Sequence, residues 1–233
     1  MKHTLLLFTA MVLAMVSINA SAQKCASDSA LAGKSLWVIG DSYVRNHRCP
    51  QEETWHAKAA DRLGMTYHNL GRNGNCIAFD RTKEGFGEQM TQRYRQIDAD
   101  ADYILVIAGH NDADKIKDEA GWKQFTDSLD YLCTALTTEF PHARVGIVTP
   151  WAVDRPMFAE VIAELKAAGA RHGIPVLDMA YTSGIRVNDD SFRALYFQNK
   201  GVRDTAHLND EGHNLLLPYG MAFIRLLQAQ PRP

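Results

Sequence analysis

The sequence predicts an α/β fold: a five-stranded parallel β-sheet covered by helices on both faces, a three-layer α/β/α sandwich. Three observations predict it. Apolar runs of strand length alternate with helix-period segments along nearly the whole chain. Three of those runs end in small and polar residues: Gly40-Asp41-Ser42, Gly71-Arg72-Asn73-Gly74 and Gly109-His110-Asn111-Asp112. The composition, 46% hydrophobic and 22% charged with 16 Gly and 8 Pro, is that of an ordinary globular protein. It excludes collagen-like, low-complexity and disordered chains, and a net charge of −2 offers no basic face to a nucleic acid.

The elements follow in order. Lys2, the mostly apolar residues 5–16 and the small residues Ala20-Ser21-Ala22 form a secretory signal pattern. The apolar run is shorter than the ~20 residues of a membrane span. Cleavage after Ala22 removes 22 of the 233 residues and leaves 211, expected to form one domain over 23–233. It takes one Lys and no acid, moving the net charge from −2 to −3. Gln23-Lys24 before Cys25 is not a lipoprotein processing box, so the mature chain is expected to be exported, periplasmic or extracellular, with no stable membrane insertion. Ser35–Gly40 reads as a buried strand ended by Gly, 54–63 as a short helix capped by Thr54, and Thr66–Gly71 as a weaker strand. A helix over 87–97 precedes the clearest strand, 103–109. The long helix 121–140 carries Phe125, Leu129, Leu132 and Leu136 at spacings of four, three and four, and Pro141 breaks it. A strand at 144–149, a helix at 157–172 and a short strand at 174–178 follow. Residues 180–203 show no period, and a helix over 210–228 closes the chain.

In an open parallel sheet, functional groups gather beyond the carboxyl ends of the strands. Ser42 follows the first strand directly. It is placed either to cap a helix starting at Tyr43 or, with a base beside it, to act as a nucleophile. His207 is the candidate base. Asp204, three residues earlier across a turn, is spaced to orient its imidazole. His213 is a rival base, but it lies within the last helix beside Leu215-Leu216-Leu217, a place for packing or capping. Gly71 and Asn111, at two further strand ends, supply a backbone N–H and an amide that could meet an oxyanion, or else serve as turn residues.

These residues resemble the SGNH (GDSL-type) hydrolase family. Its four blocks read here as Gly40-Asp41-Ser42, Gly71, Gly109-His110-Asn111-Asp112 and Asp204-Thr205-Ala206-His207, within residues 35–213. The resemblance implies the flavodoxin-like SGNH hydrolase fold, with Ser42 as nucleophile, His207 as general base and Asp204 as its orienting acid. It also implies an oxyanion hole from the Ser42 N–H, the Gly71 N–H and the Asn111 side chain. The family signature often continues with Leu where this chain has Tyr43, a position expected to face the core or the helix side.

The implied activity is a secreted serine esterase, with short acyl (acetyl) groups on carbohydrate as the favoured substrate. Tyr43, Arg45, Arg72, Asn73, Asn75 and Trp151 would then form a rim for sugar hydroxyls and ring faces. Phe192, Leu195, Tyr196 and Phe197 could instead line an acyl groove, as a lysophospholipase or acyl-thioesterase would need, or form satellite core. A non-catalytic carbohydrate-binding protein of the same fold is the further alternative. No cofactor is expected and no metal, since the chain has no H-E-x-x-H and no usable ligand cluster. The spacing of Cys25, Cys49, Cys76 and Cys133 contains no C-x-x-C. A Cys49–Cys76 disulfide is expected to join the two loops at the active edge, against the alternative of two free buried thiols. Cys133 is expected as a free core thiol and Cys25 in a leader.

Overall fold

The computed structural model describes residues 28–202 and 204–230. The expected signal peptide and Cys25 lie outside the described residues.

The elements run β1 (Ser35–Gly40), α1 (Ser42–Arg45), α2 (Trp55–Arg62), β2 (Thr66–Gly71), α3 (Met90–Arg93), β3 (Tyr103–Ile107), α4 (His110–Lys115), α5 (Glu119–Glu139), β4 (Arg144–Val148), α6 (Phe158–His172), β5 (Val176–Leu177), α7 (Met179–Thr182), α8 (Asp190–Tyr196) and α9 (Asp210–Ala229). The five strands form one parallel sheet in the order β2-β1-β3-β4-β5. The chain moves from β1 to one side, then crosses back to add β3 on the other. The order therefore reverses around β1, the place in such sheets where functional groups gather beyond the strands' carboxyl ends.

Period-two alternation divides the core. Leu36 and Val38 of β1 face one apolar layer, with Leu105, Ala59, Ala60, Leu216 and Ile224 from β3, α2 and α9. Trp37 and Ile39 face the other, with Ile104 and Val106 of β3, Leu129 and Leu132 of α5, and Val161 and Leu165 of α6. Both faces are thus covered, which is why the strands read as near-continuous apolar runs. The register pairs Gly40 with Gly71 on one side and with Ile107 on the other. Three strands consequently end level, and their following loops emerge side by side.

Four elements differ from the sequence reading. The helix expected over 87–97 is one turn of α3 followed by a 3₁₀ turn, Tyr94–Gln96. β5 keeps only two residues. The short helix α4 starts directly beyond β3, where no period announces it. Residues 180–203, read as aperiodic, contain α8, whose N-cap Asp189 accepts a hydrogen bond from the Phe192 N–H.

Candidate active site

Ser42 is the first residue of α1. Asp41 caps that helix by accepting the Tyr43 N–H at 2.9 Å, so the chain turns sharply off the end of β1. The Ser42 N–H lies in the first turn, whose donors have no partner within a helix.

Ser42 Oγ lies 2.8 Å from His207 Nε2. His207 Nδ1 lies 2.8 Å and 3.0 Å from the two carboxylate oxygens of Asp204. Asp204 Oδ1 also accepts the backbone N–H groups of Ala206 and His207, both at 3.1 Å. The same carboxylate therefore fixes the turn and the ring it carries. Burial works against the charged form of Asp204, but the His207 ring and those backbone donors outweigh it and hold the carboxyl below its usual range. The His207 backbone is clamped as well. Its carbonyl accepts the Gln198 N–H at 2.9 Å beside an antiparallel bridge between Phe197 and Leu208. Trp151 Nε1 donates to the Ala206 carbonyl at 2.8 Å. The segment without sequence period thus braces the imidazole.

Gly71 and Asn111 reach the same edge with their donors differently placed. The Gly71 N–H is not open to the cleft, which corrects the expectation for that donor. It donates to Asn69 Oδ1 at 2.8 Å, the side chain folding back onto the N–H two residues on. Asn69 Nδ2 in turn donates to the Val44 carbonyl at 2.8 Å, tying β2 to α1. The need for glycine at 71 is steric: a Cβ there would lie 2.2 Å from the Arg45 nitrogen. Asn111 Nδ2 donates one hydrogen to the Asn75 carbonyl at 3.1 Å, leaving the second to point elsewhere.

Several neighbours escaped the sequence reading. Tyr43 is buried, as its position implied, yet it is sandwiched between Trp151 (ring centroids 3.8 Å) and His110 (4.3 Å), with His207 edge-on at 6.0 Å. His110 Nδ1 lies 3.2 Å from Asp41 Oδ2. Asp112, fully buried, accepts the N–H groups of Ile77 and Ala78 at 3.0 Å each. Burial outweighs those bonds and pushes its carboxyl up to about 7. The Gly-x-Asn-Asp motif was the available signal for Asp112. Nothing in the sequence announced that His47 stacks on His207, centroids 4.1 Å apart and planes 10° from parallel. His213 does not reach Ser42. Its ring is buried, Nδ1 accepting the Trp55 N–H at 3.4 Å and Nε2 lying 3.2 Å from Asn46 Oδ1. Burial, with further lowering from His56, Lys58 and His207, pushes its pKa well below the ordinary value.

Other expectations need correction. Trp151 and Asn75 are buried, as Tyr43 is, and cannot serve as rim. Arg45 and Asn73 are half-buried and Arg72 is exposed. Phe192 and Phe197 are core, the satellite-core reading given for that cluster rather than the acyl groove, while Leu195 is 63% exposed. Cys49 and Cys76 are free thiols rather than a disulfide. Strand-end position placed their loops at one edge but did not pair their thiols: Cys49 is half-buried and Cys76 fully buried, and each is free. Cys133 is buried and free, as expected.

His47, Asp204 and His207 bring possible ligand atoms within 4.8 Å of one another. An imidazole binds a metal in its own plane at ~2 Å. Two nearly parallel stacked rings have no such point in common, so this cluster does not converge on an ion.

A model of the GDSL-like lipase/acylhydrolase family matches residues 38–215, a span that holds all of these residues. Among solved structures, a protein from Lactobacillus plantarum is similar with a TM-score of 0.69 and 22% identity, over 83% of this chain and 97% of that one. An aryl esterase of M. smegmatis is similar with a TM-score of 0.63 and 16% identity, over 84% and 100%. An active-site mutant of a family two carbohydrate esterase from Clostridium thermocellum gives 0.60 and 12%, over 83% and 63%. At these identities the likeness is one of fold. No curated protein matches the sequence significantly.

Proposed function

Because the chain belongs to the GDSL-like lipase/acylhydrolase family, we propose that it is a serine ester hydrolase with Ser42 as nucleophile, His207 as general base and Asp204 as orienting acid. The observation that carries this reading is the unbroken run of 2.8 Å contacts from Asp204 through His207 to Ser42. His207 Nε2 takes the Ser42 proton as Oγ attacks the ester carbonyl. The resulting imidazolium, held by Asp204, returns the proton to the leaving alkoxide. Water then attacks the acyl carbon as it loses a proton to His207, and His207 returns that proton to Ser42 Oγ as the acid departs. The Ser42 N–H and the second hydrogen of Asn111 Nδ2 are the donors proposed for the oxyanion. The chain supplies nucleophile, base and acid, so the chemistry needs no cofactor.

The substrate we favour is a short acyl group, acetyl above all, on a carbohydrate, met outside the cytoplasm after signal cleavage. Phe192 and Phe197 are withdrawn into the core, which removes most of a long acyl groove. The polar rim of Arg45, Arg72 and Asn73 suits a hydroxylated alcohol. Leu195 and Val202, exposed on the same segment, favour a longer acyl chain as the second reading. Nitrophenyl esters from acetate to palmitate, alongside acetylated xylan and pectin, separate the two. Ser42→Ala is expected to lower turnover by several orders of magnitude with the fold intact. Near-native activity in that variant overturns the assignment. The absence of a fluorophosphonate adduct on Ser42 would point instead to a carbohydrate-binding protein that keeps the fold.

A further inference from the structure

His47 sits where no motif placed it. Beyond α1, Asn46 (φ 65°) and His47 (φ 46°) adopt left-handed backbone in succession. Non-glycine residues seldom do so, and such turns persist where the surroundings over-determine them. Here they do. The Asn46 and His47 N–H groups both donate to the Ser42 carbonyl. Asn46 Nδ2 donates to the Pro50 carbonyl at 2.5 Å. Gln198 Nε2 donates to the Asn46 carbonyl at 3.2 Å and to its Oδ1 at 3.1 Å, with His213 on the same oxygen. Asn73 Nδ2 donates to the His47 carbonyl at 3.4 Å.

The product of this bracing is one ring laid flat on another. Hydrogen bonds to Asp204 and Ser42 restrain the two nitrogens of His207, but rocking about the Cβ–Cγ bond carries both nitrogens out of the ring plane, the direction in which those contacts are softest. A flat neighbour removes that freedom. The titratable groups facing His47 are His207 and Asp204 from the segment before α9 and Arg48 on its own turn. Partial burial and then His207 push the His47 pKa below its ordinary value, so the covering ring is uncharged near neutrality.

We propose that His47 is a positioning residue for the base: its flat ring fixes the tilt of the His207 imidazole and keeps Nε2 aimed at Ser42 through both proton transfers. This rests on the esterase reading above. It assigns His47 no contact with the reacting atoms, and it makes stacking, not the His47 nitrogens, the working property.

Three substitutions test it with nitrophenyl acetate. His47→Ala should lower kcat about tenfold or more with KM within about twofold, because ground-state binding is untouched. His47→Phe, which keeps a flat ring, should restore kcat to within about threefold of the parent. His47→Arg sets a fixed cation over the imidazole and should move the acid limb of kcat/KM down by about one pH unit. Unchanged kcat in His47→Ala, a Phe variant no better than Ala, or an unmoved limb in the Arg variant each overturns the proposal. Ser42→Ala and Ser42 labelling are run beside them. An active Ser42→Ala defeats the esterase reading itself, whereas an inactive one beside a fully active His47→Ala defeats only the role of His47.

Discussion

Replacing Gly71 with alanine tests how far the position of Ser42 depends on the approach of β2. The added methyl would lie 2.2 Å from the Arg45 nitrogen, 2.6 Å from the Val44 carbonyl carbon and 2.7 Å from the Arg45 Cα. All three are backbone atoms of α1, so no side chain can swing aside. Ordinary contact needs about 3.5 Å, and α1 must therefore retreat by about 1 Å or β2 must shift by as much. Ser42 opens α1, and its bond to His207 has no slack at 2.8 Å. A misplacement of about 1 Å in a reacting group can cost about 10²-fold in rate, while overpacking of this kind costs about 1–3 kcal/mol in stability. Gly71→Ala should thus lose about 10²-fold in kcat/KM and remain folded. It keeps the backbone N–H, so the loss cannot be laid to a missing donor. Steady-state kinetics with nitrophenyl acetate, the rate of fluorophosphonate labelling and a denaturant melt measure the three quantities. A folded Gly71→Ala with kcat/KM within twofold of the parent would refute the reasoning.

Asn111→Ala should cost about 10²–10³ in kcat, read in the same assay, with binding of the alcohol portion little changed. Burial holds the His56 imidazole down at about 3, so on acidification the unfolded chain binds that proton first. Its contribution is complete above about pH 6.5 and is lost as pH falls toward 3, on the order of 5 kcal/mol; urea melts across that range should show a shallower loss in His56→Gln. Asp112 acts with the opposite sign. Its carboxyl is raised to about 7, so its contribution is complete below about pH 4 and is lost as pH rises through 7. Asp112→Asn should flatten that limb in the same melts. Maleimide should label neither Cys76 nor Cys133 in the native protein and label half-exposed Cys49 slowly, because burial raises its pKa, with Glu53 and Asp204 adding to the effect. A peptide map of the unreduced protein showing a Cys49–Cys76 cross-link would contradict the structure.

The parts of this molecule legible in the sequence are those set by local pattern. β1 was read to the residue because a buried apolar run ends at Gly40, and α5 because its apolar residues keep helical spacing from Phe125 to Leu136. Ser42 was legible through a short motif at a strand end, and Asp204 and His207 through one just before the last helix, and the structure brings them together. What escaped depends on directions that chain position does not encode. Trp151 follows β4 and reads as a rim residue, yet its ring turns inward onto Tyr43. Asn69 carries no motif of its own, and only the fold shows that it captures the Gly71 N–H. At seven residues, α8 is too short for a period to emerge, and its cap at Asp189 was the one local clue. His47 owes its place to a left-handed turn held by Gln198, whose side chain comes from 152 positions away.

Ser42 and His207 stand 165 positions apart, and the segment between them builds four of the five strands. Closing so long a loop gains nothing until most of the sheet exists. Catalytic competence should therefore be among the last properties acquired during folding, appearing when the residues before α9 dock against the turn after β1. The reverse also holds. If that C-terminal segment can lift away with the sheet still paired, it takes His207 from Ser42, and turnover by the proposed mechanism becomes a more sensitive gauge of local opening than any signal from the strands.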